Sequence, residues 1–261
     1  MSSTESELII GIDLGSRTTK IVGYSNGEIV LSDVFSTGHN PLEIIKAELT
    51  NRNPRIIAAT GYGRHLVASE FNAMRITEIC ACARGVHEIL PEAELIIDVG
   101  GQDSKVILKD ASGRVLDFEM NDRCAAGTGR FLEFMARTFD MELGEFISLS
   151  ENAPESVTIN SMCTVFAESE VVSLITSGKP RDRIGRGLHE SAAKRLAGMV
   201  SRFPPVGKMV FVGGGALNDC LHALLQEKTR KEIVRVPDPR IVTAYGAALL
   251  AAEKDLLRER N

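Results

Sequence analysis

The chain has 261 residues, 44% of them hydrophobic and 25% charged, with a formal net charge of −5; that is ordinary globular composition, enough for a buried core in one or two domains. The mixed, slightly acidic charge excludes the basic surface of a nucleic-acid binder, and no apolar run reaches the roughly 18 residues of a membrane-spanning helix. The polar, acidic stretch Met1 to Glu7 does not fit a signal peptide, so a cytoplasmic protein is expected, with no nucleic-acid or membrane partner.

The first predicted element is an apolar strand that ends in Asp13 and Leu14 and runs into Gly15-Ser16-Arg17-Thr18-Thr19-Lys20 and a second strand. Asn26-Gly27 then reads as a tight hairpin turn before a third strand. Periodicity predicts a helix over about 41–50, a strand over 56–60 and a helix over about 77–90. Between the last two, Thr60-Gly61-Tyr62-Gly63-Arg64 is a glycine-rich turn, either at a lobe crossing or an ordinary loop.

The pattern then starts again. Residues 94–107 read Glu-Leu-Ile-Ile-Asp-Val-Gly-Gly-Gln-Asp-Ser-Lys-Val-Ile, so that Asp13 aligns with Asp98, Gly15 with Gly100, Thr19 with Ser104 and Lys20 with Lys105, all at one offset. Ser112-Gly113 repeats the hairpin signal. Helices are predicted over about 130–140, 164–177 and 182–202, with loops at 151–154 and 203–205. A strand over 208–212 leads into Gly213-Gly214-Gly215 and a helix from about 217, and the chain closes with a strand near 233–236 and a helix over about 243–258. Two similar halves of mixed strands and helices predict an α/β protein of two lobes. Residues 1–93 with about 243–261 form the first, and residues 94–242 form the second.

Each repeated turn points toward an anion. Glycine at a bend lets the backbone approach closely and aims several N–H groups one way. Ser16, Thr18 and Thr19 add hydroxyls in the first copy, and Gly100, Gly101 and Ser104 take their part in the second. Asp13 and Asp98 cannot bind phosphate directly; at a polyphosphate they suit Mg2+ held through water, or an attacking water. An Asp after a strand also merely starts a turn, but two aligned copies favour the nucleotide. Gln102 is the candidate for orienting the water, since an amide both donates and accepts. Lys20 either approaches a phosphate or sits solvated at a strand end, while Glu78 and Asp103 have no firm role. The Gly213-Gly214-Gly215 loop, with Asn218, is the candidate for adenosine, and Lys194 and Asp238-Pro239 for the border of its base.

The five cysteines, Cys80, Cys82, Cys124, Cys163 and Cys220, contain no CxxC pair, and taken singly each reads as a small buried hydrophobe. Their context changes that. The order of two phosphate loops and an adenosine loop is that of the actin, sugar-kinase and heat-shock-chaperone superfamily. Gly-Ile-Asp-Leu-Gly-Ser at 11–16, Thr-Gly-Tyr-Gly-Arg at 60–64, Asp-Val-Gly-Gly-Gln-Asp-Ser-Lys at 98–105, Met-Asn-Asp-Arg-Cys-Ala-Ala-Gly-Thr-Gly-Arg-Phe-Leu at 120–132, Ser-Met-Cys-Thr-Val-Phe-Ala-Glu-Ser-Glu at 161–170 and Val-Gly-Gly-Gly at 212–215 span nearly the whole chain. In these motifs it resembles the activators of 2-hydroxyacyl-CoA dehydratases, a family that also holds ATPase subunits of benzoyl-CoA reductases and reductases of double-cubane cluster proteins.

The resemblance implies a two-lobed duplicated ATPase fold that binds ATP or ADP with Mg2+. It implies a homodimer with one bridging [4Fe–4S] cluster, ligated by Cys124 and Cys163 of each chain. Four thiolates per cubane from two chains is a consistent stoichiometry. Each cysteine precedes a predicted helix, whose N-terminus favours an anionic thiolate. The resemblance further implies nucleotide-driven lobe motion and ATP-driven one-electron transfer. The electron would come from a ferredoxin or flavodoxin and go to a dehydratase or a double-cubane cluster protein. A small-molecule kinase of the same superfamily without a cluster, and a nucleotide-dependent scaffold, are the competing readings.

Overall fold

A computed structural model of the chain describes residues 8–122, 127–160 and 164–259. By compactness it divides into two units, Met1–Ala93 with Lys109–Leu116 and Arg240–Asn261, and Glu94–Leu108 with Asp117–Pro239.

The first unit opens with β1 (Ile9–Leu14), β2 (Thr18–Ser25) and β3 (Glu28–Ser36), followed by α1 (Pro41–Leu49), β4 (Ile56–Thr60), α2 (Arg64–Phe71), β5 (Met74–Arg75) and α3 (Glu78–Ile89). The second holds β6 (Leu95–Val99), β7 (Ser104–Lys109) and β8 (Val115–Asn121), then α4 (Gly129–Thr138), α5 (Leu143–Glu151), α6 (Thr164–Thr176), α7 (Arg181–Val200), β9 (Met209–Val212), a 3-10 turn (Gly214–Leu217), α8 (Asp219–Thr229) and β10 (Ile233–Arg235). The last helix, α9 (Val242–Glu259), returns to the first unit.

The duplication seen in sequence extends through five strands. The first sheet has the order β3-β2-β1-β4-β5 and the second β10-β9-β6-β7-β8, the same order read from the other end. In each, an antiparallel hairpin (β1 with β2, β6 with β7) is joined by a parallel neighbour (β1 with β4, β6 with β9). β1 is buried along its whole length, because it is central and covered on both faces. Ile9 and Ala58 pack on one face with Ala247, Ala248 and Ala251 of α9 and Ala81 of α3. Ile10, Ile12 and Ala59 pack on the other with Ile45 of α1 and Val67 of α2. The period of two along the strands separates these sets. In the second unit Leu95, Ile97 and Val99 of β6 meet Phe131, Phe146, Leu188, Leu196 and Phe211 in one continuous core.

Three elements were not expected. α2 directly follows the turn at 60–64, the two-residue β5 completes the first sheet, and α5 occupies 143–151. α5 opens on a capping box between Glu142 and Glu145, a signal present in the sequence but passed over. The helix expected from 217 is a 3-10 turn to Leu217, and α8 starts only at Asp219 because Asn218 caps it. Asn26 and Gly27 both take positive φ, as a two-residue hairpin turn of the expected kind requires.

Candidate functional site

Asp13, the penultimate residue of β1, is buried, and the antiparallel register sets Lys20 of β2 opposite it. Lys20 Nζ lies 2.9 Å from Asp13 Oδ2. The ammonium proposed for a phosphate is thus engaged with the neighbouring carboxylate. Gly15 N–H donates to Thr18 O at 3.1 Å and closes the turn. Its carbonyl accepts from Thr37 Oγ1 at 2.8 Å. Since that bond uses the Thr37 proton, Thr19 Oγ1 is the donor in its 3.1 Å bond to Thr37 Oγ1. Thr19 is fully buried. Its hydroxyl braces the loop from inside and is not available to a phosphate, which corrects the sequence reading. Ser16 is exposed and Thr18 half-buried at the tip. Thr37, on the far side of β3, gave no signal in sequence.

The second copy repeats this plan with tighter burial. Asp98 faces Lys105 across the β6–β7 ladder. Lys105 is 1% exposed, with Nζ 2.9 Å from Asp103 Oδ1 and 3.8 Å from Asp98 Oδ2. Asp103, left without a role in sequence, is thus the direct partner of a buried cation. Gly100 N–H donates to Asp103 O at 3.0 Å. Ser104, like Thr19, is fully buried, its hydroxyl 4.0 Å from Met199 Sδ, so it too is removed from the phosphate donors. Gln102 is exposed at the tip and Gly101 half-buried beside it. The carbonyls of Gly100 and Gly101 accept the first two amides of α4, from Gly129 at 3.0 Å and Arg130 at 2.8 Å. Those two N–H groups are spent on the loop.

The parallel neighbours add a correspondence that sequence missed. Thr60 pairs with Asp13 on β4, and Val212 pairs with Asp98 on β9. Next come Gly61 and Gly213, each with φ of 81°. A Cβ on Gly61 would lie 2.3 Å from Asp13 Oδ1, and one on Gly213 would lie 2.4 Å from Asp98 Oδ1. The turn at 60–64 and the Gly213-Gly214-Gly215 loop are therefore one structural element in two copies, recognisable in sequence only as Gly-x-Gly after the strand beside the Asp. Gly213 serves the approach to Asp98. Gly214 is the position of the triplet that faces open space. Gly213 N–H is fastened to Pro239 O at 2.9 Å, which gives the Asp238-Pro239 turn its place behind this loop.

Asn218 accepts from Leu221 N at 2.9 Å as the cap of α8, and its amide nitrogen lies 3.0 Å from His189 Nε2. His189 Nδ1 donates to Gly185 O at 2.9 Å, so Nε2 carries the lone pair and accepts from Asn218. Burial pushes the His189 pKa down to about 4, which keeps the ring neutral. Asn218 therefore has its carbonyl and one amide hydrogen committed. His189 was missed because its role depends on a contact 29 residues away. Lys194 lines a cleft of about 490 Å³ with Thr158, Asn160, Glu190 and Arg195.

Cys124 and Cys163 lie outside the described residues; α4 and α6 follow them. Cys82 and Cys220 are buried, and burial pushes the Cys220 thiol up to about 12, where it stays protonated. Among the described residues no group of three or more His, Cys, Asp or Glu could hold a metal ion, and no helix is long and apolar enough to cross a membrane.

Residues 10–251 match the model of the BadF/BadG/BcrA/BcrD ATPase family. The chain is 40% identical over 255 residues to the 2-hydroxyisocaproyl-CoA dehydratase activator of Clostridioides difficile, covering 94% of this chain and 95% of that one. The solved structure of the activator of the 2-hydroxyisocaproyl-CoA dehydratase from Clostridium difficile with bound ADPNP superposes with a TM-score of 0.89 at 38% identity, over 97% of each chain. A ROK family glucokinase from Streptomyces griseus, in complex with glucose and AMPPNP, shares the fold alone, with a TM-score of 0.58 at 13% identity over 94% of this chain and 99% of that one.

Proposed function

The chain belongs to the BadF/BadG/BcrA/BcrD ATPase family, and from that premise we propose that it is an ATP-dependent activator that drives single electrons onto an iron–sulfur partner. The partner is a 2-hydroxyacyl-CoA dehydratase or a double-cubane cluster protein. In this reading the tips of the two phosphate loops, Ser16 with Thr18 and Gly101 with Gln102, bind the phosphates. Asp13 and Asp98, held in place by Lys20 and Lys105, order Mg2+ through its waters. Gln102, exposed at its tip, orients the attacking water, and Gly214 and Asn218 serve the adenosine.

One observation carries the step from ATPase to activator. The second phosphate loop is hydrogen-bonded through Gly100 and Gly101 to the first turn of α4. That helix begins five residues after Cys124. A loop that shifts with the state of the γ-phosphate would pull directly on the segment bearing a cluster cysteine, a coupling that a sugar kinase does not need. Cys124 and Cys163 supply two thiolates per chain, so a cubane of four thiolates calls for a homodimer. The [4Fe–4S] cluster, when bound, supplies one-electron chemistry, with a ferredoxin or flavodoxin as donor.

Anaerobic purification with iron and sulfide analysis tests this reading. About four irons per two chains are expected. Cys124→Ala should lose the iron while retaining ATP binding. An iron-free wild-type chain, or a Cys124→Ala variant with full iron, rules the activator reading out.

A further inference from the structure

The two copies of the aspartate site differ at one position that the fold does not require to be polar. Asp13 Oδ1 and Thr60 Oγ1 are buried and have no hydrogen-bond partner among the described residues. Asp13 is 4% exposed and Thr60 fully buried. They are paired neighbours on parallel strands, so both side chains leave the same face of the sheet. A buried hydroxyl without a partner bears its full desolvation penalty, and valine has nearly its shape without the cost. The second copy makes that choice: Val212 stands beside Asp98 where Thr60 stands beside Asp13. The hydroxyl in the first copy is therefore not there for folding.

Space is kept for what would satisfy it. Gly61 has no Cβ where one would sit 2.3 Å from Asp13 Oδ1. The other carboxylate oxygen is taken, by Lys20 at 2.9 Å. An acceptor and a hydroxyl, side by side under a glycine, suit one small hydrogen-bonding molecule. We propose that Thr60 is a positioning residue of the ATPase reaction: its hydroxyl and Asp13 Oδ1 hold one water between them when nucleotide is bound, and that water fixes the orientation of the Asp13 carboxylate. The water donates to Asp13 Oδ1, is bonded by the rotatable Thr60 hydroxyl, and presents its remaining capacity to the phosphate end of the nucleotide. Val212 offers no such hydroxyl beside Asp98, so the two aspartates have unequal duties, with the water-organising one in the first lobe. This assignment rests on the ATPase reading above.

The experiment measures Mg·ATP turnover and thermal unfolding for the full-length wild type, Thr60→Val and Thr60→Ser. Thr60→Val should lower kcat about tenfold, the effect of one hydrogen bond of ordinary strength, with KM for ATP within about twofold. It should melt at or above the wild-type temperature, since an orphan hydroxyl is gone. Thr60→Ser should recover most of kcat. A Thr60→Val protein that turns over at the wild-type rate overturns the proposal. So does a loss of kcat that comes with a lower melting temperature and is not recovered by serine. A wild-type chain that hydrolyses no ATP would sink the ATPase reading itself, a result distinct from either.

Discussion

The two aspartate loops share strand order, register and an opposed lysine, yet they are built into their lobes differently. The first is braced by hydroxyls, through the chain Thr19 to Thr37 to Gly15 O. The second is braced by a helix, through the amides of Gly129 and Arg130. Lys20 pairs with Asp13 and its side chain is 16% exposed, whereas Lys105 lies between Asp98 and Asp103 and is 1% exposed. A duplicated scaffold thus keeps what geometry demands, an acid at a strand end with a base across the ladder, and varies the attachments that tie each loop to the rest of the molecule.

The sharpest way to break this comparison is to remove each lysine. Lys105→Met leaves buried Asp98 and half-buried Asp103 without their shared cation, and unfolding titrations should show a loss of about 3–5 kcal/mol. Lys20→Met removes a cation whose side chain is 16% exposed rather than buried, and should cost less, about 1–2 kcal/mol. Equal losses would mean that the two sites are energetically alike.

The glycine loops differ next. The second-lobe loop ends on Asn218, which is held by neutral His189, while α2 in the first lobe starts on Gly63 with no side-chain cap. Burial holds folded His189 near 4, against about 6.5 for a solvated imidazole, so the unfolded chain takes up that proton first. The contribution is fully present above pH 6.5 and is lost as pH falls toward 4, by about 3 kcal/mol across that window. His189→Gln should flatten this part of the stability–pH curve, measured by thermal unfolding from pH 7 to pH 4.5. An unchanged slope would remove His189 from the account.

The smallest effect separates the two hairpins. Gly27 has positive φ and open space around it, so Gly27→Ala should cost about 1 kcal/mol from backbone strain alone, with ATPase activity unchanged. At Gly113 a Cβ would also lie 2.7 Å from the ring of His87, so Gly113→Ala should cost more in the same unfolding assay.

Much of this was legible in the chain itself. The offset that aligns Asp13 with Asp98 and Lys20 with Lys105 marked the duplication, and hydrophobic periodicity placed most helices and strands. α5 was missed because its single turn-and-a-half of apolar face is too short to stand out, although its capping box was written at Glu142 and Glu145. β5 is two residues long and exists only because β4 offers an edge. Thr19 and Ser104 were read as phosphate donors because a hydroxyl beside a glycine turn looks the same in sequence whichever side of the strand it leaves.

Sequence by itself determined the repeated strand–Asp–turn–strand, its aspartates and the cysteine motifs, because these depend on residue identity and local period. Tertiary structure alone decided which groups are spent and which are left. It sets Lys20 against Asp13, puts Lys105 between two acids, locks Asn218 to His189, and leaves Asp13 Oδ1 and Thr60 Oγ1 without partners among the described residues. Asn218 with His189 and Asp13 with Thr60 join elements far apart in the chain, and even the lysine–aspartate pairs depend on the register of a hairpin. Which donor meets which acceptor is fixed only when the sheets have closed and water has been driven from between them.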